Sequence, residues 1–395
     1  MNNRIKILVC PSDLYGIGDF RFIAPHVELQ KQFGEEFDVE ISTQVNFDDL
    51  AYLTQFNIIF GNKDMCSVEK AKEIFPLLKE KGIKIIIDVD DHWNLHPGHP
   101  HYQYSKYAKI GERIVKMLPF ADYVTTTTDF FANEIKKYNK NVIIFPNGID
   151  PDSKKFQIKE IPSDKVRIGF LGGSSHLKDL QLLKSFFDTI NDKFKGKIQT
   201  VLCGFDTRGS VTETDKNGQQ HQRPIKPMET CWYEYEKIFT SNYKYVSPEY
   251  KDFLMQFKNE EFEGVEKEQY RRVWTKPMST YSLNYNLMDI SLAPLEINKF
   301  NQSKSSLKIV EGGFFKKAII CTDIAPYQID IVNGENGFLV KNNSGTKNWA
   351  YYVHKLITDE GLRKEMGEKL YETVKDKYNI KNISKNRAEW YKSII

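Results

Sequence analysis

The chain has 395 residues, 40% apolar and 28% charged, with 56 basic against 53 acidic side chains and a formal net charge of +3. That composition is that of an ordinary soluble globular protein; the balance would tolerate a polyanion, but no basic block demands nucleic acid, and the length exceeds one comfortable core, so two domains are expected. The opening MNNRIKILVC is too short and too soon polar for a signal peptide or membrane span, and the five cysteines lack CxxC spacing, so reduced thiols in the cytoplasm are expected.

In chain order, IKILVC, NIIFGN, IKIIIDVD, YVTTTT and VIIFPN are short apolar runs with amphipathic stretches such as FANEIKKY between them. Continuous apolar strands of this kind predict a parallel sheet covered on both faces. FIAPHVELQKQF reads as an ordinary first helix rather than a basic membrane-surface one. After a polar, proline-containing stretch near 150–165 the pattern restarts, with VRIGFLGG, IQTVLCGF, ISLAPL and AIICT as strands of a second sheet. The expected architecture is α/β: two Rossmann-like doubly wound domains (1–155 and 165–375) facing a cleft. Residues 205–280 are too long for a strand-to-helix connection and read as an insertion, largely helical after residue 229. Residues 376–395 read as a final helix, apolar on one side through Trp390, Tyr391 and Ile394.

The segment 299–327, KFNQSKSSLKIVEGGFFKKAIICTDIAPY, sets a cation, Lys304, at a predicted helix start capped by Ser303. A phosphate would satisfy both the ammonium and the free N–H groups. Lys308 and Glu311 follow at i+4 and i+7; a carboxylate about 10 Å along the helix suits paired sugar hydroxyls rather than phosphate. Phosphate at one end and a ribose at the other describe a nucleotide. The plainer alternative is a solvated Lys304 beside an ordinary Lys308–Glu311 surface pair.

IIIDVDDHWNLHPGHPHY gathers four of the eight histidines just past a strand. Asp88 and Asp90 form a DxD triplet, which would suit Mn²⁺ or Mg²⁺, and the histidines would suit zinc, but an irregular proline-containing loop argues against converging ligands. A third reading has the loop open onto the cleft, with Asp90 (or Asp91) and His92 touching a transferred group or an acceptor hydroxyl. In the bland reading Asp88 caps a turn and the histidines are solvated.

Several motifs together resemble a known family. DISLAPLE, KSSLKIVEGG, AIICTDIAPY, NGENGFLV and the helical 349–374 stretch, in this order, are similar to the C-terminal domain of retaining GT-B glycosyltransferases of the family 4 type. VRIGFLGGSSHLKDLQLL resembles the first strand, loop and helix of that domain, and VIIFPNGIDP its interdomain junction. The resemblance implies that Lys304 binds the donor diphosphate, Glu311 the ribose, and Ser305 and Ser306 complete the cradle. It further implies a glycine loop at Gly172, Gly173 and Ser174 that approaches the diphosphate, and Gly16 and Gly18 facing the donor sugar. A final helix that returns to the first domain is also implied. Two departures stand out. Ser303 occupies the place of a first glutamate, leaving Glu296 as a candidate sugar contact. Gly173 occupies the place of an arginine, leaving His176 or Lys178 to supply the charge.

The resemblance implies a hexosyltransferase-type enzyme using a nucleotide-sugar donor, UDP favoured over GDP, with retention and without a metal or other cofactor. The expected acceptor is a glycan or glycoconjugate, lipid-linked or otherwise. A DNA acceptor, a catalytically weak sugar- or nucleotide-binding protein, and a nucleotide-sugar epimerase on the same fold are the alternatives. No transmembrane segment is expected, and a peripheral membrane location stays open. Neither the linkage formed nor the oligomeric state is legible.

Overall fold

The structure, a computed structural model, describes residues 4–216, 218–341 and 345–395. Two six-stranded parallel sheets dominate it. The first comprises β1 (Ile5–Cys10), β2 (Phe37–Ile41), β3 (Ile58–Asn62), β4 (Lys84–Asp88), β5 (Tyr123–Thr126) and β6 (Val142–Ile144), in the order β2-β1-β3-β4-β5-β6. The second comprises β7 (Val166–Leu171), β8 (Ile198–Phe205), β11 (Tyr270–Trp274), β12 (Ile290–Ala293), β13 (Ala318–Thr322) and β14 (Phe338–Val340), in the order β11-β8-β7-β12-β13-β14. Every residue of β3, β12 and β13 is buried, as helices on both faces of a parallel sheet require. Strand order reverses between β1 and β3 in the first sheet and between β7 and β12 in the second. Each reversal leaves a crevice beyond the strand C-termini, where ligands of open α/β sheets bind.

The stretch 205–280 is more integral than an insertion. Its β11 pairs with β8 in the second sheet, and the helix Cys231–Phe239 buries Trp232, Tyr235 and Phe239 in that lobe's core. Only the hairpin of β9 (Ser210–Thr214) and β10 (Gln220–Pro224) stands apart as its own two-stranded sheet. The sequence hid β11 because YRRVW carries two arginines. Inside the fold both are neutralised: Arg272 pairs with Glu236 at 2.6 Å, both nearly solvent-free, and Arg271 pairs with Glu261 and Glu266.

The helix Ile380–Ile394 lies against the helix Ala24–Phe33 of the first lobe. His26 Nε2 and the Tyr391 hydroxyl are 2.8 Å apart, Ser384 donates to the Pro25 carbonyl, and Lys392 pairs with Glu36. Chain leaving the first lobe and chain returning to it run side by side: Ile149 N–H donates to Tyr378 O, and Ile380 N–H to Ile149 O. All five cysteines are free. Among the described residues no helix is long and apolar enough to cross a membrane.

Candidate active site

A cleft of about 690 Å³ opens between the two sheets. Its first-lobe wall includes Gly16, Ile17, Asp90 and Asp91, from the loops after β1 and β4. Its second-lobe wall carries Gly172, Gly173 and Ser174 after β7, Leu295 after β12, and Lys304, Ser305, Lys308 and Glu311. Both switch-point crevices therefore open into one space.

The helix bearing Glu311 begins later than the sequence suggests. It spans Leu307–Phe314, with Ser306 at its N-cap and no side-chain cap. Ser303 instead ends the preceding turn Lys299–Gln302, its hydroxyl donating to Lys299 O at 2.9 Å. Lys304 thus precedes the helix instead of sitting in its first turn, and its Nζ lies 5.1 Å from the Phe300 ring centre. Ser305 faces the cleft and accepts a hydrogen bond at 3.1 Å from Asn147 of the first lobe. Ser306 turns to the Tyr378 hydroxyl and is not part of the cleft wall.

Lys308 and Glu311 do not form a surface pair. Glu311 is 3% exposed and accepts hydrogen bonds from Tyr281 and Tyr285, and burial raises its pKa above the usual carboxylate range. Lys308 Nζ donates to the Leu171 carbonyl at the mouth of the glycine loop and lies 4.9 Å from the Phe170 ring centre. Burial pushes its pKa down to about 8, with Glu311 opposing that shift. The loop itself is tightly packed: Gly204 holds φ +103, and a side chain there would come within 2.6 Å of the Gly172 carbonyl.

The residues offered in place of the missing arginine do not supply its charge. His176 lines the cleft, but burial, then Lys304, push its pKa down to about 3, so it is neutral at pH 7. Its Nδ1 faces Asp179 at 2.7 Å. Lys178 is exposed and packs beside Gly98 of the first lobe, outside the cleft. Lys308, which the sequence set on one face with Lys304 and Glu311 and otherwise offered only as half of a surface pair, puts an ammonium on the cleft wall beside the glycine loop. Lys276 and Arg208 line the cleft as well, and the sequence offered no sign of either. Glu296 also points elsewhere, accepting from Asn298 at 3.4 Å, while its N–H donates to Asp179.

In the first lobe, Gly16 lines the cleft at φ +44. Gly18 shapes the loop from beneath, since a Cβ there would fall 2.0 Å from the Asp13 carbonyl oxygen. Asp88 caps no turn: Arg21 grips it through two nitrogens, at 3.0 and 2.6 Å, and Thr125 donates to it as well. Asp90 accepts from Lys63 at 2.8 Å. With each carboxylate of the DxD triplet already held by a cation, the triplet is not arranged to share a metal ion. Asp91 faces the cleft without such a partner among the described residues, and burial, then Asp90, push its pKa up to about 6. His92 is 3% exposed and stacked on Trp93 at 4.6 Å, away from the cleft. His96 and His99 neither open onto the cleft nor lie free; they pack on Phe300 across the lobe boundary, at 5.8 and 5.4 Å.

No protein-family model matches the sequence, and no curated protein matches it. Solved structures do match in shape. Anabaena Alr3699/HepE, crystallised with UDP and glucose, superposes with a TM-score of 0.61 at 12% identity, over 99% of both chains. Sucrose-phosphate synthase from Thermosynechococcus elongatus gives 0.61 and 12%, again over 99% of both. The chain has the GT-B fold. An α-glucosyltransferase crystallised with UDP and a 13-mer DNA gives 0.55 at 12% identity, over 98% of this chain and 99% of that one.

Proposed function

We propose that this GT-B chain is a glycosyltransferase that moves a hexosyl group from a UDP-sugar to an acceptor hydroxyl of a glycan or glycoconjugate, with retention of configuration. The observation that carries the reading is the second-lobe wall, where Lys304, Lys308 and the 172–174 glycine loop stand at one end and Glu311 at the other. A nucleoside diphosphate placed there sets its phosphates on two cations and its ribose on a carboxylate. HepE, of the same fold, was crystallised with UDP, and also with UDP-glucose, which supports a uridine donor.

In the reaction the bond from the anomeric carbon to the diphosphate oxygen breaks as a bond to the acceptor oxygen forms. The acceptor proton passes to the departing phosphate on the same face. Negative charge grows on the leaving group, and pre-placed ammonium groups stabilise it without reorganisation. Two lysines suffice for that neutralisation, so the reading calls for no metal. In this reading Asp91, across the cleft, contacts the transferred sugar.

Thermal-shift titration tests the reading: UDP and UDP-hexoses should raise the melting temperature, following the logarithm of ligand over Kd. Lys304→Ala should leave the fold intact and cut turnover by about 10²–10³. No stabilisation by any nucleoside diphosphate, or full turnover in a folded Lys304→Ala protein, would refute it.

A further inference from the structure

His176 lines the cleft wall directly after the 172–174 glycine loop, with 7% of its surface open. Its Nδ1 lies 2.7 Å from Asp179 Oδ2, while Asp179 Oδ1 accepts from the Glu296 N–H at 2.7 Å and the Asn301 amide at 3.0 Å. Three donors therefore converge on one carboxylate. Burial works against its charge, yet the bond from His176 and the charge of Lys304 hold its pKa below the usual carboxylate range. An ionised carboxylate only accepts, so Nδ1 carries the ring proton and Nε2 is left as a bare acceptor. The backbone N–H of His176 donates to the Tyr235 hydroxyl. Nε2 has no hydrogen-bonding partner among the described residues, and unlike the Nε2 of His92 it is not sealed from the cleft.

The surroundings say what such an acceptor can take. After burial, the influence that weighs most on this ring is Lys304, ahead of Lys308. Lys304 also acts on Asp91 across the cleft, behind burial and Asp90. His176 thus stands at the Lys304 end of the wall, opposite the end where Tyr281 and Tyr285 hold Glu311. With the ribose at Glu311 and the diphosphate on the lysines, the group that continues past Lys304 is the transferred sugar. A bare lone pair repels phosphate oxygens and takes a hydroxyl instead. Proton abstraction is a different matter. An imidazole whose pKa is pushed down to about 3 is too weak a base to take a proton from an acceptor hydroxyl.

We infer that His176 is a specificity-determining residue for the transferred sugar, its Nε2 accepting a hydrogen bond from one sugar hydroxyl while Asp179 fixes the tautomer. The inference rests on the UDP-sugar reading above and adds a group that reads the sugar rather than the nucleotide.

Two measurements on the full chain test it. Long-range proton–nitrogen spectra of the histidine rings at pH 7, with His176 assigned by its loss in His176→Gln, should show Nδ1 protonated and Nε2 bare. The opposite tautomer would overturn the inference with no binding data needed. Calorimetric Kd values then compare UDP, UDP-glucose and UDP-glucoses in which fluorine replaces one sugar hydroxyl at a time. Fluorine cannot donate, so in wild type one analogue should bind about tenfold more weakly than UDP-glucose. His176→Phe should bring that ratio close to one and leave the Kd of UDP itself within about twofold. His176→Gln, whose amide oxygen can accept, should restore part of the discrimination. Wild type that binds every analogue like UDP-glucose overturns the inference. So does an unchanged ratio, or UDP weakened as much as UDP-glucose, in a folded His176→Phe protein. Failure of wild type to bind UDP at all would instead remove the reading beneath it.

Discussion

Lys308 shows how one buried cation ties the cleft to pH. Its pKa is pushed down to about 8 because burial disfavours the ammonium. A bound diphosphate favours the charged form, so binding must draw in a proton wherever the free protein has lost it. UDP affinity should hold steady below pH 7 and fall by up to about tenfold per pH unit above pH 8. Calorimetry in buffers of different ionisation heat should show the matching proton uptake, and Lys308→Arg, which stays charged, should abolish both trends. Asp91 has the opposite history. Partial burial and the neighbouring Asp90 push its pKa up to about 6. At this scale the sequence was partly legible. Lys304, Ser305, Glu311 and the 172–174 loop are local motifs with a chemistry of their own. What Lys308 and His176 do depends on burial beside Leu171 and Lys304, each more than a hundred positions away in sequence, and the setting of Lys304 on a helix boundary shifted by three residues, none of which local spacing encodes.

At the scale of elements, charged pairs decided what could be read. Apolar runs such as those of β3, β4 and β13 announce themselves, while β11 is disguised by Arg271 and Arg272. Removing one partner of a solvent-free ion pair leaves the other charge buried alone. Arg272→Ala should therefore cost about 3–5 kcal/mol in urea unfolding. Its loss would also take away the guanidinium lying 4.2 Å from the Phe205 ring centre. A change below about 1 kcal/mol would mean that Glu236 reaches water or another cation. The Arg21–Asp88 pair plays the equivalent part in the first lobe. It joins the wide helical turn Gly18–Ile23 to the end of β4 and, through Arg21 to Asn147, reaches the amide that bonds Ser305 across the cleft. A DxD spelling that by its letters would suit a metal ion is thus part of the scaffold that sets the two cleft walls in register.

Across the whole molecule, the lobes meet where the histidine loop lands on Phe300 and where Lys299 pairs with Glu134 at 2.6 Å. Burial, then His101 and His96, push the His99 pKa down to about 4, and His96 is lowered too. A histidine depressed on folding gives stability that is complete above its unfolded pKa near 6.5 and lost as pH falls toward 4. Acidification over that range should loosen this contact, read as faster hydrogen exchange in residues 94–101 and 298–304. His99→Gln should flatten part of the response, and exchange that does not vary with pH would show the contact to be insensitive to charge. The two-lobed plan was legible because each apolar strand run recurs in order. How the lobes touch was not, because it depends on one phenylalanine and a loop that look unremarkable in sequence.

The helix Ile380–Ile394 has a consequence for biosynthesis. Tyr391 and Ala388 complete the apolar layer formed by Ile7, Val9, Phe22 and Phe60, so the lobe that begins first on the ribosome is finished last. Until those closing residues emerge from the exit tunnel, the nascent sheet must keep that face exposed while some two hundred intervening residues fold into the other lobe. Interrupting the chain before Ala388 would spare every residue lining the cleft and still strand the nascent first lobe with an open apolar surface, a natural substrate for chaperones.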